Sequence, residues 1–240
     1  MKKISFLPLP VLLSLFLLPG CSQANQFKSL VPISTPIANQ WEQKLSPLPT
    51  TINLGITFYS QAPFGNWDMP YQEACEEASL LLAYYYVTQK SVTINQFETD
   101  LLAMINWEIN YFGQYQHTTI AQTAEIAQNY LNYQNLKIIE NPTTDQLKAE
   151  LSQGHPIVAP FAGRYLKNPY FSGEGPIYHM LVLRGYDQSH FITNDVGTKH
   201  GENFIYPYET IIETLHNWHD SASLSPNGIL NGKSLVLVLQ

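Results

Sequence analysis

Charge is scarce in this sequence of 240 residues: 13% are Asp, Glu, Lys or Arg, and 12 basic residues face 19 acidic ones. A net charge of −7 argues against sequence-independent nucleic-acid binding, because neutralising phosphates takes a cationic surface. Two cysteines are too few for a disulfide framework. A mean hydropathy of −0.13 excludes a protein of many membrane spans. The chain carries no nucleotide-cradling glycine loop, no cofactor motif, no internal repeat and no low-complexity tract. Apolar residues are plentiful, with 45% hydrophobic and 12% aromatic. That composition rules out disorder, collagen and coiled coil, and it suffices for one ordinary core. A small enzyme or a binding module in one compact domain remains.

The first 21 residues read as an address. Lys2 and Lys3 precede an apolar run from Ile4 to Leu18, interrupted by Pro8 and Pro10 and closed by Pro19-Gly20-Cys21. A cationic start, a short apolar stretch and small residues at its end describe a bacterial-type secretion signal, too short for a stable span of about 20 residues. Leu18-Pro19-Gly20-Cys21 resembles a lipobox, which makes Cys21 the lipidated first residue of a mature, envelope-bound protein. The alternative is cleavage after Ser22-Gln23-Ala24, releasing a soluble secreted or periplasmic chain. Both readings export the protein, and membrane contact is expected only through the N-terminal anchor. Residues 22–50, with Pro32, Pro36, Pro47 and Pro49 among polar residues, read as a tether to a domain over 51–240.

Helical signals come first in that domain. Cys75 to Thr88 is an apolar run behind Glu76 and Glu77. Thr93 with Gln96, Thr119 with Gln122 and Thr143 with Gln146 form capping-box pairs, opening helices to Ile105, to about Leu131 and to Gly154. Strand signals follow at Pro156–Phe161, His179–Tyr186, His190–Asn194, Asn203–Tyr206 and Ser234–Leu239, with a late helix over about Tyr208–Trp218. Helices first and an antiparallel sheet afterwards predict an α+β fold.

With Cys21 lipidated or removed, Cys75 has no disulfide partner. A lone thiol in an oxidising compartment is either a buried structural residue or one whose chemistry is used. Cys75 opens a helix, where backbone N–H groups favour a thiolate, while Glu76 and Glu77 oppose one. It therefore needs an imidazolium partner. His117, His155, His190 and His200 sit in loops or at a strand start, and His216, His219 and Asp220 read as a solvated helix end rather than a metal site. His179 is held at the mouth of a strand. If Asp187-Gln188-Ser189 is the hairpin turn and Tyr186 faces His190, paired numbers sum to 376 and Asp195 shares a face with His179. An odd sum separates them.

Four blocks at these residues resemble one family. They are Tyr59-Ser60-Gln61-Ala62-Pro63-Phe64-Gly65-Asn66-Trp67 with Tyr71-Gln72-Glu73-Ala74-Cys75-Glu76-Glu77-Ala78-Ser79, then Gly154-His155-Pro156-Ile157-Val158, then Pro176-Ile177-Tyr178-His179-Met180-Leu181-Val182, then Gly185-Tyr186-Asp187 with Asn194-Asp195. In this order they are similar to the double-glycine-leader (bacteriocin-processing) cysteine peptidases and their stand-alone C39-like relatives. The resemblance implies a papain-like fold, a helical lobe with the cysteine and a sheet lobe with histidine and acid. It implies Cys75 as nucleophile, His179 as general base and acid, Asp195 as orienter of the imidazole, and Gln61 as oxyanion donor with Gln72 as rival. Two positions depart from the pattern: Glu76-Glu77 stand where many relatives carry Gly-Pro, and Gln61 lies 14 residues before Cys75. The implied reaction is hydrolysis of a peptide or protein substrate through a thioester, without cofactor or metal. The alternatives are a cell-wall peptide amidase or acyltransferase on the same triad, and a non-catalytic peptide-binding module of the same fold.

Overall fold

The computed structural model describes residues 47–240. The expected secretion signal, Cys21 and the expected tether up to residue 46 lie outside the described residues. The described chain runs β1 (Ile52–Asn53), α1 (Cys75–Val87), α2 (Ile94–Phe112), α3 (Ile120–Asn129), β2 (Leu136–Glu140), α4 (Thr144–Ser152), β3 (Ile157–Ala162), β4 (Tyr178–Tyr186), β5 (His190–Asn194), β6 (Glu202–Pro207), α5 (Tyr208–Thr214) and β7 (Leu235–Leu239). The fold is α+β. One antiparallel sheet has the order β2-β7-β3-β4-β5-β6, and β1 pairs the far end of β4.

The helix starts follow the capping chemistry. Thr93, Thr119 and Thr143 each accept a hydrogen bond from the backbone N–H three residues on, and the last two complete capping boxes with Gln122 and Gln146. Gln96 instead donates to Asp100, leaving the first box half made. Helix α2 runs seven residues past the expected Ile105 and stops at Gly113, whose φ of 82° suits glycine. Its buried stripe is Phe97, Leu101, Met104, Ile105 and Glu108. The stripe continues through a carboxylic acid, so hydrophobic periodicity alone ends it too early.

Helix α1 is buried on every side from Cys75 to Ala83 because it lies between the sheet and the other helices, packing on β4, α2 and α3. Strands β3 and β4 are buried at every residue, and α4 also packs against both. Burial on both faces explains why their sequences read as continuous apolar runs rather than alternating ones. Strand β2 was not among the expected strands. It is an edge strand, exposed or half-exposed along its length, with a weak apolar signal in Leu136-Lys137-Ile138-Ile139-Glu140.

Two expectations need correction. The late helix ends at Thr214, not near Trp218, because Leu215 turns into extended backbone and bridges Phe161 while the His216 N–H donates to Pro160 O. His216 and His219 therefore do not share a helix end; their rings contact the carbonyls of Gly232 and Gly228. The β4–β5 turn is also one residue out of the expected register. Tyr186 pairs with Phe191 and Gly185 with Ile192, an odd sum of 377. A β-bulge at Arg184 then absorbs one residue, and Leu183–Thr193 and Val182–Asn194 return to 376. The guanidinium at the bulge is held by Asn53, Leu54 O and Asn194.

Candidate active site

The N-terminus of α1 and the open ends of β4 and β5 meet at a cavity of about 400 Å³. Gln61, Gln72, Glu73, Cys75, Tyr178 and His179 line it, with Trp67, Phe171 and Gly197 at its sides. All the residues singled out as nucleophile, base and oxyanion donors thus border one space. Asp195 stands behind His179.

His179 is the second residue of β4, and Asp195 follows the last residue of β5. With the ladder returned to even register, the His179 Nε2 lies 2.7 Å from Asp195 Oδ1, and both residues are buried. Asp195 receives three more hydrogen bonds: Gly197 N–H to Oδ1 at 3.1 Å, Asn168 Nδ2 to Oδ2 at 2.8 Å and Tyr206 O–H to Oδ2 at 2.6 Å. Burial alone raises a carboxyl pKa, but the His179 ring and the Tyr206 and Asn168 donors outweigh it, and Asp195 is held below the usual range. The imidazole is fixed sterically as well. Phe171 meets it edge-to-face at 5.3 Å, and a Cβ on Gly197 would come within 2.7 Å of its Cε1. Sequence reasoning missed Asn168 and Tyr206. Asn168 comes from the loop after the 3-10 turn Gly163–Leu166, and only the left-handed bend at Lys167, with φ of 52°, announces that loop's reversal.

The helical side is different. Cys75 is 7% exposed, and its Sγ lies 3.0 Å from Glu76 Oε2. Burial, and then the charge and hydrogen bond of Glu76, push the thiol pKa well up. Glu76 Oε1 accepts the Thr118 N–H at 3.1 Å. Behind them Glu77 of α1 and Glu108 of α2 are buried, and among the described residues no N–H or hydroxyl donates to their four carboxyl oxygens, which leaves the two carboxyls as each other's hydrogen-bond partner. Burial pushes Glu108 up to about 9, and Glu77 is raised by burial and by the charge of Glu108.

Gln61 departs from the role expected of it in one respect. Its Nε2 donates to Tyr71 O at 2.9 Å and to Gln72 O at 3.0 Å, and its Oε1 is buried without a partner among the described residues. In this state the amide braces the turn before α1 instead of offering its N–H groups to the cavity. Its backbone N–H donates to Val196 O, which ties the Gln61 loop to the strand end carrying Asp195. Gln72 is exposed on the same turn.

The other histidines are engaged elsewhere. His117 stacks on Trp218, His155 contacts Glu150, His190 contacts Asp187, and His200 packs on Tyr170. Among the described residues no group of three or more His, Cys, Asp or Glu side chains has metal-binding geometry, and no helix is long and apolar enough to cross a membrane.

The model of the Peptidase C39 like family matches residues 53–225. A solved structure from Bacillus anthracis, described as a C39-like peptidase, superposes with a TM-score of 0.51 at 15% identity, covering 78% of this chain and 96% of its own. Xylellain, a cysteine protease from Xylella fastidiosa, matches at 14% identity and a TM-score of 0.41, covering 80% of this chain and 87% of its own. No curated protein matches the sequence.

Proposed function

The chain belongs to the Peptidase C39 like family, and from that premise we propose that it is an exported cysteine peptidase, anchored to the cell envelope by lipid on Cys21, that hydrolyses peptide bonds through Cys75, His179 and Asp195. The observation that carries this reading is the His179–Asp195 bond of 2.7 Å beside a cavity that Cys75 also lines. With Nε2 donating to Asp195, the lone pair is on Nδ1, the ring nitrogen left to take a proton from the thiol.

In this mechanism the S–H bond of Cys75 breaks as its proton passes to His179, and the sulfur attacks the amide carbonyl. The Cys75 backbone N–H, one of the helix-terminal donors without an intrahelical acceptor, holds the oxyanion. Gln61 completes that pair by exchanging one of its carbonyl contacts for the oxyanion, and Gln72 is the rival donor on the same cavity wall. His179 next protonates the leaving amine, and water resolves the thioester. Asp195 keeps the imidazole in one tautomer and one orientation throughout.

The test is cleavage of a quenched-fluorescent peptide library by the full-length protein in detergent. Cys75→Ala abolishes cleavage while leaving the circular dichroism spectrum and Tm unchanged. Unchanged cleavage in that variant overturns the mechanism. An added amine separates the chemistries, because hydrolysis yields a free acid and acyl transfer a new amide. Labelling of wild type but not Cys21→Ala by a fatty-acid probe in cells tests the anchor.

A further inference from the structure

Glu76 is the least accounted-for group at the site. It is the second residue of α1, is 1% exposed, and touches the nucleophile itself. Its two oxygens have distinct duties. Oε1 accepts the N–H of Thr118, and the Thr118 peptide is fixed from its other side by the Tyr178 hydroxyl, which donates to Thr118 O at 2.9 Å. Oε2 faces the Cys75 sulfur at 3.0 Å with one proton to share between them. A thiolate that close to a carboxylate sets two negative charges side by side in a buried place, where water screens them poorly.

We propose that Glu76 is a further catalytic residue, which must carry a proton for Cys75 to give up its own to His179, so that the nucleophile is switched on in acid and off in mild alkali. With Glu76 neutral, its O–H donates to the sulfur, the Cys75 S–H bond breaks and the proton goes to His179 Nδ1. With Glu76 ionised, the thiol donates to Oε2 and keeps its proton. No atom is lost or gained in either arm beyond the proton that Glu76 exchanges with solvent.

The surroundings set where the switch lies. Burial pushes Glu76 up to about 7 against the lowering influence of the Cys75 and backbone bonds, with Glu73 raising it and His179 lowering it. The ionisable groups facing it are Glu73 on the turn before α1, Cys75 and Glu77 on α1, Glu108 on α2, Tyr115 before Thr118, and Tyr178 and His179 on β4, with His117 one contact further out against the Tyr178 ring. Of these carboxyls only Glu73 adds like charge to Glu76, because burial keeps Glu77 and Glu108 protonated, and His179 is the cation that favours ionisation.

The inference rests on Cys75 being the nucleophile, but its test needs no turnover. The full-length protein is alkylated with iodoacetamide from pH 5 to 9, and the Cys75 peptide is read by mass spectrometry. In wild type the rate falls above pH 7, by about tenfold per pH unit. In Glu76→Gln that fall disappears and the rate stays high to at least pH 8. A wild-type rate that climbs steadily with pH, or an unchanged profile in the variant, overturns the proposal. If Glu76→Gln does not fold, the thiolate absorbance of wild type less that of Cys75→Ala decides: a decline above pH 7 supports the proposal, and a rise overturns it. Absence of peptide cleavage with the falling profile intact sinks the peptidase reading alone. Cleavage with a climbing profile sinks the role of Glu76 alone.

Discussion

Asp195, on the sheet side of the cleft, receives four hydrogen bonds, whereas Glu77 and Glu108, behind the cysteine on the helical side, have only each other's carboxyl as a partner among the described residues. Both sides bury carboxyls, but on the helical side only Glu76 has a backbone N–H donor. An ionised carboxylate that is fully bonded stays charged and stays in place, so the sheet side stores geometry. Buried carboxyls without donors resist ionising, so the helical side responds to pH. A site divided in this way holds its histidine in place and, on the proposal for Glu76, keeps its cysteine conditional.

That contrast can be broken most severely at Asp195. Replacing it with Asn removes the charge and presents an amide to three side-chain donors; kcat falls about 10³-fold or more, measured on a cleaved library peptide with folding checked by Tm. Next in size is Gly197→Ala. The added methyl meets the His179 ring, and displacing the ring costs about 10²-fold in kcat/KM with little loss of Tm. On the helical side the contrast is sharpened by Glu108→Gln. Glu108 has a folded pKa raised to about 9, so between the unfolded value of about 4.3 and 9 the folded state binds more protons than the unfolded chain. Stability therefore falls as pH rises through that window, by up to about 1.4 kcal/mol per pH unit for this one group. Thermal unfolding at pH 5 and pH 8 shows it: the variant gains little at the lower pH and clearly more at the higher. The smallest effect is Tyr206→Phe, which removes one of four donors to Asp195. It lowers kcat about tenfold, the equivalent of one charge-assisted hydrogen bond.

Much of this architecture is legible in the sequence, and the failures have identifiable causes. The capping threonines mark three helix starts because side-chain chemistry at an N-cap is local. The cysteine at a helix start and the histidine at a strand mouth are legible for the same reason. The extent of α2 is not, since its stripe runs through Glu108, and β2 is not, since an edge strand exposes what a central strand buries. The pairing of His179 with Asp195 follows from even register, but the turn itself sets an odd one and the bulge at Arg184 restores the parity. No local pattern announces that bulge; two of its three anchors, Asn53 and Leu54, are more than a hundred residues away. Asn168 and Tyr206 were invisible because both reach Asp195 through tertiary packing of a loop and an outer strand.

The proposed role of Glu76 in holding the Cys75 proton carries a consequence for how long the protein lasts. Peroxides and disulfides consume thiolates far faster than thiols, and the sulfinic and sulfonic products are beyond ordinary rescue. A sulfur that keeps its proton until the neighbouring acid is neutralised spends its idle time in the form that oxidants leave alone. On that proposal, the carboxylate that restrains the sulfur is in the same stroke its preservative.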